Sequence, residues 1–343
     1  MERRELTRRL FPEGIPELWC PLLTHFSAAA RPDGERIRRH MEAISGNVRG
    51  LLVPGSTGEG WEMTDDDILS VLGIVLDQSA KTGQKVLVGI LKTELSAILR
   101  SIQIITSRLI ERTGSPSADE ALERSGVAGF TVCPPSGASI GQDEMRESLA
   151  ELLRLGHPTA LYQLPQVTKN EMSPDTVASL AREFPNFILF KDTSGGDAVA
   201  RSGKDFGDLF FVRGAEGAYH RHTRLGGGAY DGFLLSTANS FPGELGAVLS
   251  LLRAGEAERA ARLAEDVAEI VTELFSAVSE FTTGNPFANA NKAFDHIRAW
   301  GSRWKEHEPP LLYSGVRLPD RFLERAAGLL AAKGFPSEGY MLR

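Results

Sequence analysis

A lysine closes an otherwise apolar run, Phe187-Ile188-Leu189-Phe190-Lys191, ahead of Asp192, Thr193, Ser194 and Gly195. An ammonium at the end of a buried strand is costly to keep charged, and desolvation drives it toward the neutral amine that attacks carbonyl carbon. An ion pair with Asp192, or a head group snorkelling to the rim, would satisfy the same residue without chemistry. Tyr162, in Leu161-Tyr162-Gln163-Leu164-Pro165, places a phenol in a second such run, where core packing is the plain alternative. Gly55-Ser56-Thr57-Gly58-Glu59 sets two hydroxyls between glycines, directly ahead of an acidic helix start. Adjacent N–H groups and hydroxyls in such a turn can hold a carboxylate or phosphate oxygen, or simply make a turn and a cap.

Other polar residues argue less for chemistry. His220 and His222, two apart in Tyr219-His220-Arg221-His222, would point to different helix faces and do not form a metal pair. With Arg221 and Arg224 they could instead meet a phosphate. Cys20 and Cys133 are the only cysteines, too far apart for a metal knuckle or redox pair, and each is expected to be a small buried side chain in a reducing cytoplasm.

Positioning these groups requires a scaffold that gathers strand ends. Short apolar runs at Cys20–Thr24, Val48–Pro54, Lys85–Ile90, Val127–Pro134, Thr159–Leu164, Phe187–Lys191, Leu209–Arg213 and Gly232–Ser236 read as eight strands. Between them lie stretches of helical period, among them Asp33–Ile44, Asp65–Ser79, Glu94–Glu111, Gln142–Leu155, Pro174–Glu183 and Pro242–Leu252. Alternation of this kind implies parallel strands, and eight units match a closed α/β barrel, the (β/α)8 or TIM barrel, better than an open sheet. Thr24-His25-Phe26 lacks the glycine-rich fingerprint an open dinucleotide-binding sheet would carry after its first strand. Thr64 before Asp65-Asp66-Asp67, and Ser173-Pro174-Asp175, supply helix starts. Residues 1–253 are expected to form the barrel with a short N-terminal extension. Residues 254–343 are expected to form a C-terminal helical extension, with helices at Glu256–Phe281, Ala290–Ala299 and Asp320–Ala332. An insertion over residues 114–124 reads as a loop elaboration, with a substrate lid as the alternative.

Composition bounds the function classes. The chain has 343 residues, 42% apolar and 24% charged, enough for one large core, and its net charge of −7 is the wrong sign for coating nucleic acid. No apolar run approaches the roughly 20 residues of a membrane span, and the start, MERRELTRRLF, has no signal-peptide core. A cytoplasmic protein with no nucleic-acid or membrane partner is expected.

GSTGE at Gly55–Glu59, LYQLP at Leu161–Pro165, FKDTSG at Phe190–Gly195 and STAN at Ser236–Asn239 stand in the order and spacing of the dihydrodipicolinate synthase and N-acetylneuraminate lyase superfamily, which the chain resembles from about Trp19 to Asn285-Pro286. The resemblance implies a Schiff-base lysine at Lys191, an acid/base phenol at Tyr162, and a carboxylate cradle of Ser56, Thr57 and Gly58. It implies backbone groups of Gly214 and Leu234 lining a keto-acid pocket, and Ser136, Thr193, Glu216 and Ser236 contacting the rest of the substrate. It further implies a pyruvate-type 2-keto acid as the small-molecule substrate, no metal or organic cofactor, and a homo-oligomer, dimer or tetramer. Two departures disfavour dihydrodipicolinate synthase activity. Val167 stands where those enzymes carry an Arg for the second substrate's carboxylate, and Cys133-Pro134-Pro135-Ser136 lacks their relay tyrosine. The hydroxyl-rich remainder suits a 2-keto-3-deoxy sugar acid or a related hydroxy-keto acid, cleaved by an aldolase or dehydrated. A keto-acid-binding or regulatory protein of attenuated catalysis is the competing class.

Overall fold

The structure, a computed structural model, describes residues 1–335 and 339–343. Strands β1 (Leu18–Pro21), β2 (Gly50–Val53), β3 (Lys85–Ile90), β4 (Val127–Val132), β5 (Thr159–Gln163), β6 (Phe187–Asp192), β7 (Phe210–Arg213) and β8 (Gly232–Leu234) close a barrel in chain order. Every neighbouring pair is parallel, and β1 completes the circle by pairing with β8. The expected TIM barrel is therefore present. The first strand lies earlier than Cys20–Thr24 because Pro21, which has no N–H to donate, ends it.

The crossover helices begin where their caps predict. The Thr64 hydroxyl accepts from Asp67 N while the Asp67 carboxylate accepts from Thr64 N, opening helix Asp65–Thr82. Ser173 caps Pro174–Glu183, with Pro in the first turn. Strict strand–helix alternation fails at two places. The β6–β7 connection has no helix, since Gly195 and Gly203 adopt φ of +77° and +72° and break it into turns. The β7–β8 connection holds only the short helix Tyr219–His222 before a 3₁₀ turn. The 114–124 insertion contains helix Ala118–Arg124, which buries Ala121 and Leu122 and leads directly into β4. It thus sits at the N-terminal end of that strand, away from the mouth, and the lid reading is overturned.

Side-chain alternation explains what fills the barrel and what crowns it. Trp19, Leu52, Leu87, Ala160, Leu189, Val212 and Leu234 form one interior cluster, plugged from below by Leu6 and Leu10 of helix Arg3–Leu10. That plug was not foreseen. Residues two further along share the same strand face. For Ala160, Leu189, Val212 and Leu234 these are Tyr162, Lys191, Gly214 and Ser236, so the barrel's own period places four of the singled-out residues in the next layer up, at the C-terminal ends of the strands.

Three C-terminal helices, Ala257–Val278, Pro286–Trp300 and Asp320–Ala332, agree with the expected ones. Their Val267, Ile270, Phe294 and Phe322 belong to the same apolar cluster as the outer faces of the barrel strands, so these helices pack on the barrel rather than beside it. Full burial of each such side chain stabilises by about 1.5–3 kcal/mol. No helix among the described residues is long and apolar enough to cross a membrane.

Candidate active site

Lys191 and Tyr162 are direct neighbours in the β5–β6 ladder. Both are buried, and the Lys191 Nζ stands 3.8 Å from the centre of the Tyr162 ring. Burial lowers the Lys191 amine to about 7, against opposing contributions from Cys133, Glu216 and Cys20. The alternative of an ion pair with Asp192 does not form. The Asp192 carboxylate faces away and accepts from Ser194 N at 2.9 Å and from the Tyr230 hydroxyl at 3.1 Å. Burial also pushes the Tyr162 phenol well above its ordinary value, and the nearby Ser56 and Thr193 hydroxyls offset only part of that rise. The Cys133 thiol, buried beside them, is pushed up to about 12 and is a neutral wall, and Cys20, on the outward face of β1, is raised by the same cause.

The Ser56–Gly58 turn is fixed from three directions. Within it, Gly58 N and Gly60 N donate to Gly55 O, and Glu59 N donates to Ser56 O, which leaves the Ser56 and Thr57 N–H groups outside the turn's own pattern. Thr24 Oγ1 donates to Gly58 O at 2.9 Å, and a Cβ at Gly58 would lie 2.5 Å from Leu22 O, so only glycine fits there. Trp61 Nε1 donates to Ser56 Oγ at 2.9 Å, with its ring against the cluster of Cys133, Tyr162 and Leu164. From the C-terminal segment, Asn285 Nδ2 donates to Ser56 O at 3.0 Å. Glu59, at φ +61° and buried, ion-pairs with the buried Lys292 and accepts from Tyr313 N at 2.8 Å.

The remaining candidates divide. Gly214 lies against Lys191: a Cβ there would stand 2.9 Å from Lys191 Cε and 2.5 Å from Thr193 Oγ1. Gly214→Ala is accordingly expected to displace the Lys191 amine and to lower the rate of any reaction that uses it by about a hundredfold, the cost of roughly ångström-scale misplacement; an unchanged labelling rate at Lys191 would refute the close fit. Thr193 is buried beside Tyr162, and its carbonyl accepts from Gln166 Nε2 at 2.9 Å. Glu216 Oε1 accepts from Ser236 Oγ at 2.6 Å, which brings those two residues together. Leu234 sits one layer lower, its side chain within the barrel interior. Ser136 is exposed on its loop, and its hydroxyl donates to Thr168 O at 3.2 Å rather than toward Lys191. Val167 is exposed at the rim.

Two clusters outside this layer are structural. Arg224 pairs with Asp231 at 2.6 Å, His222 approaches Asp197 at 3.5 Å and Arg221 Nε meets His220 Nε2 at 3.0 Å, so these cations do not converge on a phosphate site. Ligand atoms of His25, His40 and Asp295 lie within 4.8 Å of one another, a spacing a metal could use, but the Arg36 guanidinium already pairs with Asp295 and supplies the positive charge there.

Trp61 and Lys292 were not singled out from the sequence, and Tyr219 and Asn285 were named there only as members of longer segments, with no role of their own. Asn285-Pro286 stood within the motif pattern, but its bond to Ser56 O crosses the whole chain and has no local sequence signal.

The sequence profile described as the dihydrodipicolinate synthetase family matches residues 101–284. The 4-hydroxy-tetrahydrodipicolinate synthase of Methanoculleus marisnigri is 26% identical over 275 residues, spanning 77% of this chain and 84% of that one. Among solved structures, YagE, a prophage protein of the dihydrodipicolinic acid synthase family from E. coli K12 in complex with pyruvate, superposes with a TM-score of 0.74 at 19% identity, covering 94% of this chain and 99% of that one. A variant of the 2-keto-3-deoxygluconate aldolase of Sulfolobus solfataricus, in complex with L-2-keto-3-deoxy-galactonate, gives 0.69 at 16% identity, covering 93% and 96%. At these identities the structural likenesses bear on the fold.

Proposed function

This chain belongs to the dihydrodipicolinate synthetase family, and on that premise we propose that it is a lyase that cleaves a 2-keto-3-deoxy sugar acid, or a related hydroxy-keto acid, through a Schiff base on Lys191. The observation that carries the reading is the buried amine of Lys191, lowered to about 7 and held 3.8 Å from the Tyr162 ring. Ser56, Thr57 and their N–H groups would hold the C1 carboxylate, and the exposed Val167 offers no cation for a second one.

The Lys191 amine adds to the C2 ketone to give a carbinolamine. Its hydroxide leaves with a proton from the Tyr162 phenol, producing the iminium and water. Burial keeps this phenol protonated at rest, so the proton is present to be given, and the new cation beside its ring offsets the cost of the phenolate that forms. The phenolate takes the C4 hydroxyl proton, the C3–C4 bond breaks into an aldehyde and an enamine, and protonation at C3 followed by hydrolysis releases pyruvate. The iminium is the electron sink throughout, so the proposed chemistry needs no cofactor. Dehydration would use the same iminium, with a base removing the C3 proton and hydroxide leaving from C4.

Borohydride reduction with pyruvate, followed by intact mass and peptide mapping, tests the reading: a stable adduct on Lys191 is expected, and an unmodified Lys191 would end it. The rate of trapping is expected to rise as pH climbs through about 7 and to level off above, because only the neutral amine attacks. A profile flat from pH 5 to 9 contradicts the lowered amine. Tyr162→Phe should slow turnover by about 10²–10⁴-fold while leaving carboxylate binding in place, as measured by kcat against KM. Pyruvate released from a panel of 2-keto-3-deoxy acids marks cleavage, and a new keto acid without an aldehyde fragment marks dehydration.

A further inference from the structure

The conversion of a neutral amine into a permanent cation in a buried layer raises the question of what balances that charge. Gly214, packed on Lys191 Cε, leads two residues later to Glu216. Arg213, paired with Asp197 at 3.0 Å, braces this turn by donating to Ala215 O. The Glu216 carboxylate receives three hydrogen bonds: Oε1 accepts from Ser236 Oγ at 2.6 Å and from Thr237 N at 3.2 Å, and Oε2 accepts from the Tyr219 hydroxyl at 2.9 Å. Three donors converging on two oxygens suit a charged acceptor and fill most of its roughly four acceptor positions, leaving little for substrate hydroxyls. The groups whose fields reach Lys191 are Cys133, Glu216 and Cys20, and the Tyr162 ring covers its Nζ at 3.8 Å. With both thiols and the phenol neutral, Glu216 supplies the negative charge.

We propose that Glu216 is the counter-ion of the Lys191 iminium, held in place by Ser236, Thr237 and Tyr219, and that it stabilises the covalent intermediate rather than gripping the sugar chain. The proposal rests on the Schiff-base reading. Its distinctive consequence is that Glu216 matters for pyruvate, which has no hydroxylated tail to grip.

The experiment compares wild type and Glu216→Gln by borohydride trapping of pyruvate across pH. Wild-type labelling of Lys191 establishes the Schiff base independently, and an unlabelled wild type would refute that reading rather than the role of Glu216. Above about pH 7, where the resting amine is neutral and the iminium is a new charge, the trapped fraction in Glu216→Gln at saturating borohydride and limiting pyruvate should fall by about tenfold or more, the scale of removing a unit charge near a partly desolvated cation. The acid limb should also move to lower pH, since loss of the carboxylate favours the neutral amine. Unchanged trapping and an unchanged limb, with losses confined to long-chain substrates, would overturn the proposal in favour of substrate gripping. Should Glu216→Gln fail to fold, Glu216→Asp withdraws the charge by one methylene. It is expected to shift the limb in the same direction by a smaller amount, and an identical limb would count against the counter-ion.

Discussion

Lys191→Met is expected to abolish the pyruvate adduct and lower turnover by at least about a thousandfold, while making the folded chain more stable. The loss of activity follows because no other amine can substitute. Lys292 is buried but bonded to Glu59 and to Leu311 O, and Lys92 pairs with Asp65 at 3.5 Å. Lys191→Arg fails equally, since a guanidinium stays protonated and does not add to ketones. The gain in stability follows from linkage. The folded-state amine titrates near 7, below its ordinary 10.5, so between these values the unfolded chain binds more protons than the folded one. Burying this lysine therefore costs stability that is largest below about pH 7 and vanishes as pH rises past 10.5. The cost is roughly a few kcal/mol, at about 1.36 kcal/mol for each pH unit that separates the folded and unfolded titrations. Denaturant unfolding should show Lys191→Met above wild type at pH 7, with the gap closing toward pH 10.5. A Met variant less stable than wild type at neutral pH would mean that the lysine is a structural member and not a reactive group kept at a cost.

The legible part of this protein is what depends on local period. Alternation gave eight strands in order, and because Leu189 and Ala160 face inward, Lys191 and Tyr162 had to face inward as well, one layer higher. Helix caps at Thr64 and Ser173 were readable because their hydrogen bonds reach only three residues. What stayed hidden involves distant partners. The plug of Leu6 and Leu10 depends on where the N-terminal helix Arg3–Leu10 docks, which its own amphipathic pattern does not state. Residues 254–343 read as an extension because their period shows helices but not which surface those helices cover. Glu216 was visible as a polar residue near the site, but its donors, Tyr219, Ser236 and Thr237, converge only after the β7 and β8 loops meet. The 114–124 segment read as a loop elaboration with a lid as the alternative, and only its place ahead of β4, at the end of the barrel away from the mouth, removes the lid.

Breaking the Glu59–Lys292 pair is expected to cost about 3–5 kcal/mol, the largest loss of stability from a single substitution near the site. Both side chains are buried, and the pair joins the turn after β2 to helix Pro286–Trp300. Lys292→Met leaves the Glu59 carboxylate with Tyr313 N but no cation, and an uncompensated buried charge is the expensive outcome. The double variant Glu59→Gln with Lys292→Met removes both charges and should recover much of the loss, so the cycle separates the pair from packing. Catalysis should follow the turn. Glu59 directly succeeds Gly58, and Ser56 O is held from the same helix start by Asn285, so loosening this anchor spreads the Ser56 and Thr57 groups that would hold the C1 carboxylate. For Lys292→Met the KM for the keto acid should rise by about tenfold or more, while the pH midpoint for trapping at Lys191, set mainly by burial within the barrel, stays near 7. Equilibrium unfolding and steady-state kinetics check the two halves separately. A variant as stable as wild type with an unchanged KM would show that the C-terminal helices cover the barrel without positioning its mouth.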